Sequence, residues 1–213
     1  MHFHALGDRA VRESLDAVAA ARAANGWTDN RPHLAHLQIV HPDDVPRFRR
    51  LGATANIQAL WAAHEPQMDD LTIPFLGAER AALQYPFGDL LRSGATLAAG
   101  SDWPVSSPDP MAALHTTVHR RRPDAGPDSP AFLPEQRLGL GAALAAYTAG
   151  SAYVNHLDDT GTVRAGHLAV LAVLAVLAVL DRDPFEDPAG DIAATRVLQT
   201  YVGGVRVYAA DDA

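Results

Sequence analysis

Gly100-Ser101-Asp102-Trp103-Pro104-Val105 follows a small apolar run, Ala95-Thr96-Leu97-Ala98-Ala99, and precedes Asp109-Pro110, a helix-start signature. A buried strand that ends in an aspartate-bearing loop is where parallel α/β folds place their chemistry. An aspartate before a turn is equally at home as a plain cap. Its meaning depends on what the rest of the chain brings to it.

Upstream, three more strand-length runs lead into this motif: Met1 to Ala5, His33 to Leu37, and Ala53 to Gln58. Helices separate them. Ala10, Val11, Leu15, Val18 and Ala19 recur at helical spacing from Asp8, a candidate cap, to a stop at Gly26. Pro42-Asp43-Asp44 starts a second helix that turns Val45, Phe48 and Leu51 inward and ends at Gly52. A long loop with His64 and Pro66 and a short helix, Phe87 to Arg92 before Gly94, precede the fourth strand. A helix from about Asp109 to Arg121 follows it. Strands alternating with helices imply βαβ units and a parallel sheet, so the fold class is α/β. Four strands make half of an eight-stranded β/α barrel, or a small doubly wound sheet.

Beyond Arg122 the texture changes. Pro123 to Pro134 reads as loop, Glu135 to Ala149 as an alanine- and leucine-rich helix, and Ser151 to His156 as a second short helix. From Thr160 the chain reads as strands and turns. Thr195 to Tyr201, Gly203-Gly204 and Val205 to Tyr208 form a hairpin pattern, because Gly-Gly suits a tight turn with positive φ. Leu168 to Leu180 is Leu followed by four copies of Ala-Val-Leu. Thirteen apolar residues are too few to span a bilayer. Period three matches neither strand alternation nor a helical stripe, and a fully buried strand lengthened by local duplication is the expectation.

Composition narrows the function classes. The chain has 213 residues, 48% hydrophobic and 20% charged, enough for one sizeable core and a smaller second unit. A formal charge of −8 argues against nucleic acid as a partner. The absence of cysteine excludes disulfides and thiolate metal sites. His2, His4, Asp8 and Arg9 break up the N-terminal stretch, so no signal peptide is expected and a cytoplasmic location fits.

The ten histidines point to chemistry. His2-Phe3-His4 sets two imidazoles on one face of a strand, and neutral imidazole is a good ligand for zinc and related ions. Barrel strands deliver their C-terminal ends to one face, so His4, His36 and Asp102 can converge on one ion. Taken singly, each histidine is as readily a hydrogen-bonded strand-end residue. His115 and His119 lie four apart on a helix, but Thr116, Thr117 and Val118 intervene and no His-Glu-x-x-His pattern exists, so they read as a partly exposed helix face. No Gly-rich phosphate loop occurs, and Ser101 and Ser106 lack the setting of a nucleophile elbow.

These motifs, in this order, resemble the second half of a metal-dependent amidohydrolase of the branch called amidohydrolase family 3, which includes N-substituted formamide deformylases. The resemblance is carried by His4-Ala5-Leu6-Gly7-Asp8-Arg9-Ala10-Val11, by His36-Leu37-Gln38 with Pro42-Asp43-Asp44, and by Gly100 to Val105 with Asp109-Pro110. Tyr85-Pro86-Phe87, Tyr147-Thr148-Ala149-Gly150, Gly161 to Gly166 and Leu180-Asp181-Arg182-Asp183-Pro184 also fit.

The resemblance implies the second half of a distorted (β/α)8 TIM-like barrel over residues 1–157, strands five to eight, and part of a small β-sandwich over 158–213. It implies hydrolysis of a carbon–nitrogen bond, of amide or N-substituted formamide type, by metal-activated water. His4, His36 and Asp102 would be metal ligands from strands five, six and eight, and Asp102 also the proton shuttle. Zinc suits the ligand types best. His2 would support the site from behind or be structural. Trp61, Trp103 and Tyr85 are candidates to face a greasy N-substituent on a small amide-like substrate.

The departures set further expectations. The family's first-strand His-x-His pair and fourth-strand ligand precede the matched region, so the isolated chain is expected to be weakly active or inactive. The alternative is a non-catalytic remnant, or a half that folds with another chain, as a homo-oligomer or with an N-terminal half. Ala35 stands where the family often has Glu. The Ala-Val-Leu copies replace a Leu-Ala-Asp-Leu pattern, as an in-frame repeat expansion would.

Overall fold

Four strands of four residues each, β1 (His2–Ala5), β2 (His33–His36), β3 (Thr54–Ile57) and β4 (Thr96–Ala99), form a parallel sheet in the order β1-β2-β3-β4. The computed structural model describes residues 1–126, 128–165, 167, 176–187 and 190–210. The registers pair His2 with His33, His33 with Thr54, and Thr54 with Thr96, so the C-terminal ends of all four strands reach one level. Small apolar residues suit this sheet because β2, β3 and β4 are buried on both faces: Leu34, Ala35, Ala55, Ile57, Leu97, Ala98 and Ala99 are all in the core.

Helices cover the sheet. α1 (Asp8–Asn25) buries Val11, Leu15 and Val18, one stripe at helical spacing, and ends at Gly26 with φ 74°. Gly7, not Asp8, is its N-cap; the Asp8 carboxylate instead accepts from the Arg9 N–H and from Arg80, each at 2.9 Å. A single turn, Pro42–Asp44, leads into α2 (Val45–Leu51), which stops at left-handed Gly52. The buried Asp44 there holds Arg12 at 2.9 Å and Arg47 at 2.8 Å.

The stretch expected to be a long loop carries two short helices, α3 (Pro66–Leu71) and α4 (Ile73–Ala81), the second kinked at Gly77. Only Met68 of the pair is buried, so the apolar periodicity that announces a helix is missing. α5 (Phe87–Arg92) is as expected, and α6 (Pro110–His119) is capped by Asp109, whose Oδ1 accepts from the Met111 N–H at 2.9 Å.

The next helix starts later than the alanine-rich run suggests. Pro134–Gln136 is a lone turn; α7 (Leu140–Ala145) continues through a wide turn at Ala146–Gly150 directly into α8 (Ser151–Val154). Two predicted helices are therefore one. This helix packs against the outer edge of β4. A Cβ on Gly150 would lie 2.0 Å from the Leu97 carbonyl oxygen, and the Ser151 hydroxyl donates to the Ala99 carbonyl at 2.7 Å. β1 lies at the other end of the sheet and pairs on one side only among the described residues.

A second sheet, antiparallel and ordered β5-β6-β7, comprises β5 (Val176–Leu180), β6 (Val197–Val202) and β7 (Val205–Ala209), with the Gly203-Gly204 turn closing the hairpin as read from sequence. Of the Ala-Val-Leu tract, residues 168–175 lie outside the described residues. Its last copies form β5, which is not fully buried: Val179 is 39% exposed, because a three-stranded sheet covers one face at most. Asp181 follows β5 and clamps Arg196, donating its N–H to the Arg196 carbonyl (3.0 Å) and accepting the Arg196 N–H (2.9 Å). Ile192, at 2% exposure, joins the main core beside α6.

Candidate metal centre

The ends of β1 and β2 bring imidazoles into a row. Ring centroids step from His33 to His2 (4.8 Å), His2 to His4 (4.8 Å), His4 to His36 (5.0 Å) and His36 to Trp61 (5.8 Å). His2 and His4 share a face of β1 because side chains alternate, and the parallel register sets His2 opposite His33. At the centre of the row, His4 Nδ1 and His36 Nε2 share a hydrogen bond of 2.9 Å.

The backbone here is unusual. His36 (φ 73°), Leu37 (φ 54°) and Asp102 (φ 59°) all adopt left-handed conformations without being glycine. Each such residue costs about 1–3 kcal/mol, and the surroundings must enforce it. At His36 the enforcement is visible: its N–H donates to Gln58 Oε1, and the Gln58 amide in turn donates to Asn56 Oδ1 at 3.2 Å. At Asp102 a tight turn does the same work, with the Val105 N–H donating to the Asp102 carbonyl at 2.8 Å and Ser106 Oγ donating to the Ser101 carbonyl.

Electrostatics favour neutral imidazoles. Burial lowers the pKa of His36, of His2 and of His33, and neighbouring imidazoles lower His2 and His36 further; the Asp102 carboxylate opposes this at both His2 and His36, so it lies within their field. Neutral rings are the form that ligates metal.

The residues present fit an ion in part. Two nitrogens bound at about 2.0–2.1 Å to one tetrahedral ion stand roughly 3.3 Å apart, close to the 2.9 Å between His4 and His36. His36 Nδ1 is buried with no hydrogen-bond partner among the described residues, so the ring awaits the orienting acceptor that ligating histidines normally have. No group of three His, Cys, Asp or Glu side chains among the described residues closes around a point as a complete ligand set.

The other sequence candidates divide. Trp61 stands against His36 and lines a cavity of about 640 Å³. Trp103 is 67% exposed. Tyr85 is buried against Phe87, its carbonyl accepting from Arg120 at 3.2 Å, a packing role. His115 and His119 are more enclosed than a partly exposed face implies: His119 Nε2 bonds the Gly190 carbonyl (3.1 Å) and His115 Nδ1 stands 3.4 Å from Asp191. Gln58 and Asn56, which set the His36 backbone, carry no sequence signal beyond lying at the end of a strand.

The family's profile matches residues 1–208. The chain belongs to the amidohydrolase family. It is 34% identical over 207 residues to the protein LONG AFTER FAR-RED 3 of Arabidopsis thaliana, covering 96% of this chain and 33% of that one. It is 26% identical over 211 residues to an N-substituted formamide deformylase of Arthrobacter pascens, covering 96% and 36%. Among solved structures, an uncharacterised metal-dependent hydrolase from Pyrococcus horikoshii superposes with a TM-score of 0.69 at 25% identity, covering 92% of this chain and 36% of that one. The chain thus spans about a third of the length of the curated relatives it matches. The α/β fold with its parallel sheet is that of part of an amidohydrolase. No helix among the described residues is long and apolar enough to cross a membrane.

Proposed function

We propose that this chain carries His4, His36 and Asp102 of the metal centre of a hydrolase that cleaves carbon–nitrogen bonds of amide or N-substituted formamide type. The observation that carries this reading is the meeting of His4 Nδ1 and His36 Nε2 at 2.9 Å, in an amidohydrolase chain. A divalent ion, zinc fitting two imidazoles and a carboxylate best, supplies Lewis acidity when bound: it polarises a carbonyl and lowers the pKa of water. The Asp102 carboxylate takes one proton from the attacking water and returns it to the leaving nitrogen as the C–O bond forms and the C–N bond breaks. His4 and His36 would hold the ion, and Gln58 Oε1 accepts the His36 N–H. Trp61 flanks the substrate.

Titration of the metal-free chain with Zn²⁺ or Co²⁺ tests the reading. One ion should bind, and His36→Ala and Asp102→Ala should each weaken it at least tenfold; binding unchanged in both variants refutes the centre. Hydrolysis of N-benzylformamide by the 213-residue chain alone should be slow or absent.

A second reading is favoured by the one-sided pairing of β1: the sheet is extended by another polypeptide, a second copy or a chain bearing the remaining strands. Size-exclusion chromatography across concentrations should show association, and a monodisperse monomer at all of them counts against it.

A further inference from the structure

The cavity beside Trp61 has a lining with two characters. Leu60, Trp61, Val105 and Ala112 give it apolar surface. Glu65, Arg122 and Asp124 give it charge. Two of its residues also touch the candidate centre: Trp61 lies against the His36 ring, and the Val105 N–H donates to the Asp102 carbonyl. At about 640 Å³ it falls within the usual size of small-molecule sites.

Arg122 looks like a receptor for an anion, and the geometry says otherwise. Its Nε and Nη2 hold both oxygens of Asp124 at 2.9 Å, and Nη1 reaches Glu65 Oε2 at 3.2 Å. The planar fork is therefore already occupied on its two useful edges. One guanidinium against two carboxylates leaves the lining with a net charge of −1. An anionic group entering here must displace a carboxylate from Arg122 or stand beside one.

We propose that this cavity receives the N-substituent of the amide and selects its charge: apolar where it passes Trp61, neutral or cationic at its tip, and not anionic. This rests on the hydrolase reading above and names the substrate class for it. The side chains of Arg122 and Asp124 are 43% and 69% exposed, so water screens the discrimination and it amounts to about threefold rather than a hundredfold.

The test is binding to the metal-free chain by isothermal titration at low salt. The probes are N-benzylformamide and its para-carboxylate and para-aminomethyl derivatives. On the unaltered chain the neutral and cationic probes should bind about threefold more tightly than the anionic one. In Glu65→Gln/Asp124→Asn, which frees Arg122, the anionic probe should become the tightest of the three. Trp61→Ala should weaken all three by about tenfold. Equal affinities on the unaltered chain, no binding of any probe, or an unchanged order in the double variant would each overturn the proposal. Since no metal is present in this assay, its failure would leave the candidate centre to stand or fall by the ion titration alone.

Discussion

Replacing Gly150 by alanine tests how β4, and with it Asp102, is held in place. Helix propensity alone says the change stabilises, by about 1 kcal/mol, because Gly150 sits inside a continuous helix. Packing says the reverse. The new Cβ would lie 2.0 Å from the Leu97 carbonyl oxygen and 3.1 Å from Ala98 Cα, both backbone atoms that no rotamer change can move aside. Relief requires shifting the helix off the strand by about an ångström, an overpacking cost of about 1–3 kcal/mol. The shift also loosens the bond from Ser151 Oγ to the Ala99 carbonyl, about 1 kcal/mol more. The packing terms exceed the propensity gain, and the net expectation is a loss of about 2 kcal/mol. Urea unfolding followed by circular dichroism should show it as a midpoint lower by about 1 M, for a slope near 2 kcal/mol per M. Ser151→Ala, which removes only the hydroxyl, should cost about 1 kcal/mol. Asp102 follows Ala99 by three residues, so Zn²⁺ affinity should fall with Gly150→Ala as well. An alanine variant as stable as the parent, or more stable, would refute the close approach of helix and strand.

Two further outcomes follow from charges in the core. Asp44→Ala takes the buried carboxylate from the Arg47 guanidinium, 14% exposed, while Asp16 still pairs with it, and should cost about 2 kcal/mol in thermal or urea unfolding, less than the roughly 3–5 kcal/mol of a wholly uncompensated buried charge; a loss under about 0.5 kcal/mol would show that the cluster adds nothing to stability. Burial first, then mutual repulsion for His115 and the Arg121 charge for both, lowers the pKa of His115 and His119 below the ordinary 6.5. The unfolded chain therefore binds protons more readily, so stability should hold above pH 6.5 and decline as pH falls below it, with a slope of at most about 1.4 kcal/mol per pH unit for each histidine. Glutamine at both positions should flatten that decline, and an identical pH profile would contradict it.

Much of the fold is legible in the chain because parallel strands buried on both faces read as short apolar runs between turn residues. His33 to Leu37 and Ala95 to Ala99 are found that way to within a residue. The helices at 66–81 escape because they bury almost nothing, and Leu138-Gly139-Leu140-Gly141 hides a helix start inside an apolar run. The meeting of His4 and His36 is legible from strand ends and motif order. What is not legible is contact across loops: Gln58 under His36, or Trp61 beside it, depends on how the chain turns after β3.

The clamp between Asp181 and Arg196 has a consequence for the tract before it. Val170-Leu171-Ala172-Val173-Leu174, Val173 to Leu177 and Val176 to Leu180 are the same five residues in the same order. Sliding the tract by one copy would offer β6 an identical partner, side chain for side chain, so hydrophobic patterning, the usual arbiter of register, is blind here. Only a residue that occurs once can break the tie. Asp181 does so: it is the index mark on a vernier whose other divisions cannot be told apart. Copies gained or lost upstream of it would change the length of the tract while leaving the last five residues opposite Val197–Val202.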